Sequence, residues 1–250
     1  MTAQPLLPAE DRVLRASVAF VWLATGLLVL TPGYREVGGA YLTELGLPIW
    51  LMPATCAAEV MLGVVLLVLP MSTPLALLQL GLMAGFTLIL AVHEPLLLAH
   101  PFGVLTKNLA IVACVLVAWK GRTEGWSPRL RWALRLGAAL PWFTEGLFPK
   151  ILFQQPIELA VVAGSPFSWG DPAVFLRVLG AAQVLSFVAA LTLRGRPLQV
   201  LLWLQAAALL LLPLLVSLEL PELWVHPFGP LIKNVPILAA TLLWSRRCSS

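Results

Sequence analysis

A nine-residue string, His-Pro-Phe-Gly-x-Leu-x-Lys-Asn, stands at His100–Asn108 and again, 126 residues later, at His226–Asn234. Seven of its nine positions agree, among them a histidine, a lysine and an asparagine that hydrocarbon normally excludes. Each copy opens an apolar stretch long enough to enter a membrane. Chance does not readily place the same polar groups twice in such company. The chain is therefore expected to hold two versions of one membrane unit.

Composition supports that expectation. Apolar residues make up 60% of the chain and charged ones only 11%, with a mean hydropathy of +0.91. A soluble domain is about half apolar and about a quarter charged, so the solvent here is lipid. Apolar segments run over 12–31, 48–69, 74–92, 101–119, 129–148, 172–193, 197–218 and 227–245. A spanning helix needs ~20 residues, which predicts an all-α integral membrane protein with eight transmembrane helices. Proline and glycine punctuate the joins, at Pro32-Gly33, Pro70, Pro74, Pro95, Pro101, Pro156 and Pro197. Pro141, Pro213 and Pro236 fall within or near spans, where lipid-embedded helices tolerate a kink.

The basic residues give an orientation. Eleven of the sixteen Lys and Arg, from Arg12 and Arg15 through Lys120–Arg135 and Arg194 to Arg247, fall on the side of the N-terminus. Glu36, Glu44, Glu94, Glu158, Asp171, Glu219 and Glu222 are expected on the other side. The positive-inside rule then puts both termini in the cytoplasm, most simply of a bacterial inner membrane. Topology thus accounts for the net charge of +4, and the implied partner is the lipid bilayer, not nucleic acid. Glu10 and Asp11 precede the first span with no cleavage site after it, so that helix is expected to be retained.

The duplication extends beyond the signature. Leu14-Arg15, Trp22 and Gly26-Leu27 return 120 residues later as Leu134-Arg135, Trp142 and Gly146-Leu147. Gln79, Pro95, Ile111, Ala113 and Leu116 return 126 residues later. About six extra residues, expected around Ser165–Asp171, absorb the difference. Four spans per unit return each unit to its starting side, so the repeats are parallel. The expected division is a four-helix unit over 1–119, a cytoplasmic linker over 120–128 and a second unit over 129–250. The copies part company at Glu59, which matches Gln183, and at Thr25, which matches Glu145.

Leu-Arg, Trp and Gly-Leu in a first helix, then His-Pro-Phe-Gly-x-Leu-x-Lys-Asn at the start of a fourth, resemble DoxX-like membrane proteins. The resemblance covers roughly Arg12–Trp119 and Arg131–Trp244. It implies a compact four-helix transmembrane bundle, present here twice. The family's name comes from a quinone-linked oxidase and thiosulfate oxidation, a context and not a reaction assigned to this chain.

The polar residues within the spans or at their outer ends are the candidate site: His100, Lys107, Asn108, His226, Lys233, Asn234, Glu145 and Glu59. His-Pro-Phe-Gly suits a turn, which places Lys107 and Lys233 in the first turn of a helix. There a lysine can snorkel to the membrane surface. The helix dipole disfavours a cation at that end, and a nearby carboxylate or carbonyl-bearing ligand would relieve it. Both readings stand on sequence alone. Candidate carboxylates are Glu94, Glu145, Glu219 and Glu222, while Glu145 also has Lys150 or Lys233 as a structural partner. Asn108 and Asn234 fit helix–helix hydrogen bonds. His100 and His226 fit turn histidines bonded to backbone carbonyls, or proton carriers near neutral pH. Glu59 falls near mid-membrane, where a carboxyl is either functional or protonated against another helix.

Several chemistries lack their groups. Cys56 and Cys114 lie within spans, Cys248 lies in the tail, and no Cys-x-x-Cys occurs, so dithiol exchange is not expected. Histidine and carboxylate spacing gives no metal site, and no Walker, dinucleotide or nucleophile-elbow motif is present. The tryptophans Trp50, Trp119, Trp126, Trp169, Trp224 and Trp244 read as an interfacial belt. No self-sufficient catalytic motif remains, so the chain is not expected to be an enzyme by itself. The preferred expectation is an accessory component of a membrane redox system that binds a quinone-like molecule and serves a redox partner subunit. It would carry no intrinsic cofactor. The alternatives are a small-solute permease and a structural assembly factor.

Overall fold

Proline at the first helical position, where no N–H is needed, starts the helices at Pro8, Pro32, Pro128, Pro156 and Pro172. The computed structural model describes residues 5–165, 170–226 and 229–248, and all regular structure among them is helical. The first half contains α1 (Pro8–Leu27), α2 (Pro32–Glu44), α3 (Leu51–Val68), α4 (Thr73–His93) and α5 (Asn108–Glu124). The second repeats the order with α6 (Pro128–Gly146), α7 (Pro156–Gly164), α8 (Pro172–Thr192), α9 (Gly195–Glu219) and α10 (Asn234–Cys248). Ser127 and Asp171 cap α6 and α8 by accepting from Leu130 N (3.4 Å) and Ala173 N (2.8 Å).

Among the described residues, five stretches are long and apolar enough to cross a membrane: Pro8–Leu30, Leu51–Val68, Thr73–His93, Pro172–Thr192 and Gly195–Glu219. The other three expected segments form α5, α6 and α10, which are shorter or more charged. The α6 helix carries Arg129, Arg131, Arg135 and Glu145, and α10 has 15 residues ending at Arg246 and Arg247. The physical reason is position. α1, α5, α6 and α10 form the centre, with α1 packed on α10 and α5 on α6 across the unit boundary. Ile111, Cys114, Val115, Val117 and Ala118 of α5 are fully sealed, as are Ile237 and Ala240 of α10. α3, α4, α8 and α9 lie outside them and present Met61, Val68, Leu88, Val178, Leu185 and Leu218 at the surface. Exposed apolar side chains on the outer helices meet lipid, so the inner helices can be less apolar.

Two short helices, α2 and α7, were not expected, and each follows the first long helix of its unit. The Tyr41 hydroxyl of α2 donates to Glu94 Oε2 (2.8 Å), and burial together with that bond pushes its phenol up to about 12. Trp126 and Trp244 are buried and do not form part of a surface belt. Trp169 and residues 227–228 of the second signature lie outside the described residues.

The two chain ends meet the inter-unit connection. Arg247 Nε donates to Glu10 Oε1 (2.7 Å), and Trp126 Nε1 donates to Glu10 Oε2 (3.3 Å). Arg15 Nη1 takes the orphan carbonyls of Leu66 (2.6 Å) and Leu69 (2.7 Å) at the end of α3, while its Nε bonds Asp11 Oδ2 (3.0 Å). Glu10→Ala removes the acceptor for both Arg247 and Trp126. Its expected cost is about 1–3 kcal/mol, read as a lower midpoint of thermal unfolding in detergent.

Candidate functional site

The two signatures interlock. In each copy the glycine N–H closes the His-Pro-Phe-Gly turn on the histidine carbonyl, Gly103 on His100 (3.0 Å) and Gly229 on His226 (2.9 Å). Both glycines have positive φ, 64° and 52°, where a side chain would be strained. A β-carbon on Gly103 would lie 2.7 Å from Glu145 Oε1, and one on Gly229 would lie 3.2 Å from Thr25 Cγ2. Each turn therefore sits on the first helix of the opposite unit, at the very pair where the repeat diverges.

The lysines cross over in the same way. Lys107 Nζ donates to the Pro230 carbonyl (3.0 Å), and Lys233 Nζ donates to the Val104 carbonyl (2.8 Å). Val104 and Pro230 are equivalent positions of the signature, so the exchange is reciprocal. The two lysines are only 4% and 8% exposed, which excludes snorkelling to the surface. Lys107 also has a carboxylate: Glu145 Oε1 lies 3.6 Å from its Nζ. The mismatch Thr25/Glu145 thus puts a carboxylate within ion-pair reach of Lys107. Glu94 is bonded to Tyr41.

The histidines face each other with ring centroids 6.4 Å apart. His100 Nδ1 accepts from Phe102 N (3.3 Å), a backbone amide and not a carbonyl. Burial, together with neighbouring His226 and Lys107, pushes His100 down to about 4. Asn108 Nδ2 donates to Thr87 Oγ1 of α4 (2.8 Å), a helix–helix bond.

Asn234 does not repeat that bond, because the position matching Thr87 is Pro213. A second tie is also absent from the second unit. Trp22 Nε1 donates to Gln79 Oε1 (3.2 Å), joining α1 to α4. In the equivalent pair, Trp142 Nε1 and Gln205 Oε1 both lack partners, and Gln205 Nε2 donates to Ser186 Oγ (2.7 Å). Where the first unit is drawn together by these two bonds, the second holds a cavity of about 480 Å³ bounded by α6, α7, α8, α9 and α10 and, from the first unit, by Pro101, Phe102 and Lys107. Leucine and valine side chains of α8 and α9 make its walls.

One end of the cavity is charged. It contains the Lys107–Glu145 pair and a second buried pair, Lys150 Nζ to Glu158 Oε1 at 2.6 Å. Lys150 sits on a π-helical turn, Leu147–Leu152, because Pro149 has no N–H to give the Glu145 carbonyl four residues back. The Lys150 ammonium donates to that same carbonyl (3.2 Å). On sequence alone Glu158 falls outside the spans and Glu145 is open to the signature lysines or Lys150; in the structure Glu145 faces Lys107 and Glu158 takes Lys150. The readable clue to Glu158 was Pro156, which starts α7 and turns its first residues inward. Glu158 Oε2, Gln183 Oε1, Asn234 Oδ1 and Trp142 Nε1 are buried without a protein partner, and all four residues line the cavity.

The fold and site together define an all-helical membrane protein made of two related helical units. The family model of the DoxX-like family matches residues 19–116 and 139–242, and the chain belongs to that family. No curated protein and no solved structure matches it.

Proposed function

We propose that the chain is a small-molecule-binding membrane protein whose guest occupies the cavity of the second unit. The observation that carries this reading is the set of four unpartnered polar atoms on cavity-lining residues. A buried polar group without a hydrogen bond costs about 1–3 kcal/mol, and a guest with a polar head satisfies several at once. The apolar walls suit a lipophilic body, of which a quinone-like molecule is one example, and the volume falls within the ordinary range of ligand pockets. Most of the lining comes from the second unit, and Pro101, Phe102 and Lys107 of the first unit complete it.

Membrane topology is part of the same reading. α5, α6 and α10 cross the bilayer inside a ring of more apolar helices, completing eight spans in two parallel repeats divided at the 120–128 connection. The basic end with Glu10 and Arg247 faces the cytoplasm of an inner membrane, and the signatures and cavity face the outer side. The redox setting rests on the family resemblance alone, and a cofactor-bearing partner would then copurify. The test is purification from native membranes, followed by solvent extraction and mass spectrometry. A lipophilic molecule retained stoichiometrically by the native chain and lost from Trp142→Phe/Gln183→Leu is the expected result. Extracts of both proteins containing only bulk lipid would overturn the reading.

A further inference from the structure

Charge in the cavity is already balanced. Lys107 faces Glu145 and Lys150 faces Glu158, and these two pairs lie at one end of the space. A further carboxylate, Glu219, stands at the exposed rim, where water screens it. An anionic head entering beside the pairs would bring an uncompensated charge into an apolar site, and so would a cationic one.

The atoms at that end also differ in what they lack. Glu158 is buried, its Oε1 takes Lys150, and its Oε2 has no donor. Gln183 Oε1 and Asn234 Oδ1 likewise lack donors, while Trp142 Nε1 lacks an acceptor. An ionised carboxylate can only accept, so the Glu158 oxygen defines one required group on the guest.

Resting on the reading of this cavity as a ligand site, we infer that its guest is an uncharged amphiphile whose head carries an O–H or N–H aimed at Glu158. Hydroxyl-bearing heads such as phenols, quinols and alcohols belong to that class. Fatty acids, phosphate esters and fully alkylated ethers do not. Glu158 is the residue that sets this specificity: it makes the hydrogen bond, and its charge cancels that of Lys150.

A matched series tests this on the full-length protein in lipid nanodiscs: a para-alkylphenol, its methyl ether and the para-alkylbenzoic acid with the same tail. Binding is followed by quenching of tryptophan fluorescence, with Trp203→Phe, an exposed tryptophan outside the cavity lining, as the control for signal origin. The phenol should bind about tenfold or more tighter than the ether, the effect of one hydrogen bond to a charged group. The benzoate should bind weakest at neutral pH. In Glu158→Gln the Lys150 ammonium loses its counter-charge, so the benzoate should gain at least several-fold while the phenol loses. Glu158→Asp retains the carboxylate, controls for folding, and should keep the order of the wild type. An ether equal to the phenol, or a benzoate that binds tightest to the wild-type protein, would overturn the inference while leaving the ligand site standing. Binding of none of the three, with tryptophan emission unmoved, would overturn both this inference and the cavity reading.

Discussion

Lys107→Met should destabilise the folded protein by about 3–5 kcal/mol, the usual cost of removing one member of a buried ion pair. The substitution leaves Glu145 without its cation and the Pro230 carbonyl without its donor. The loss should not follow from missing volume, since methionine fills nearly the same space. The double variant Lys107→Met/Glu145→Leu should regain most of it, because an apolar pair of similar bulk costs little where an orphaned charge costs much. Unfolding in mixed detergent micelles reads all three proteins, and a coupling energy near zero would sink the pairing. Lys233→Met should shift stability in the same direction by leaving the Val104 carbonyl without its donor.

Gly180→Ile should be about as damaging, at about 3 kcal/mol or more. α6 and α8 cross with their backbones in contact: a β-carbon on Gly180 would lie 2.6 Å from the Gly146 carbonyl oxygen, and one on Gly146 would lie 2.7 Å from the Gly180 carbonyl oxygen. Neither oxygen can move aside, so the helices must separate, and with them Lys150, whose Cβ is 2.8 Å from the same point. Gly81 and Gly85 on α4 supply the control. Nothing lies within 4 Å of a β-carbon at either position, so alanine there should be neutral or should stabilise through helix propensity. Equal tolerance at Gly180 and Gly81 in the same unfolding assay would contradict this close crossing.

The architecture was legible because it rests on periodic signals. The repeated signature, the 120-residue recurrence of Leu-Arg, Trp and Gly-Leu, and the long apolar runs each survive into the helices. Crossing lengths were less legible, since α5, α6 and α10 borrow their apolar surroundings from neighbours, and a window over one segment cannot see that. The short helices α2 and α7 carry no long apolar face and announce themselves only by Pro32 and Pro156.

For the site, the sequence marked the discrepancies Thr25/Glu145 and Glu59/Gln183 and offered Glu145 among the carboxylates for the signature lysines, but it did not offer Glu158 for Lys150. Glu145 is nearer in sequence to Lys150 than to Lys107, yet its carboxylate faces Lys107 because the signature turn of one unit packs on the first helix of the other. Lys150 reaches Glu145 through the backbone carbonyl and Glu158 through the ion pair. The loss of two interhelical ties could have been read from Thr87/Pro213, but not from Trp142 and Gln205, whose identities are kept while their bond is absent.

The central claim is that duplication left one unit drawn together and opened the other as a binding cavity. An electron cryomicroscopy map of the protein in native-lipid nanodiscs tests it most directly. The account predicts ordered non-protein density between α6 and α9 in contact with Trp142 and Glu158, and in the first unit Trp22 bonded to Gln79. A map in which Trp142 closes on Gln205 as Trp22 does on Gln79, with side chains filling the space between, would contradict it.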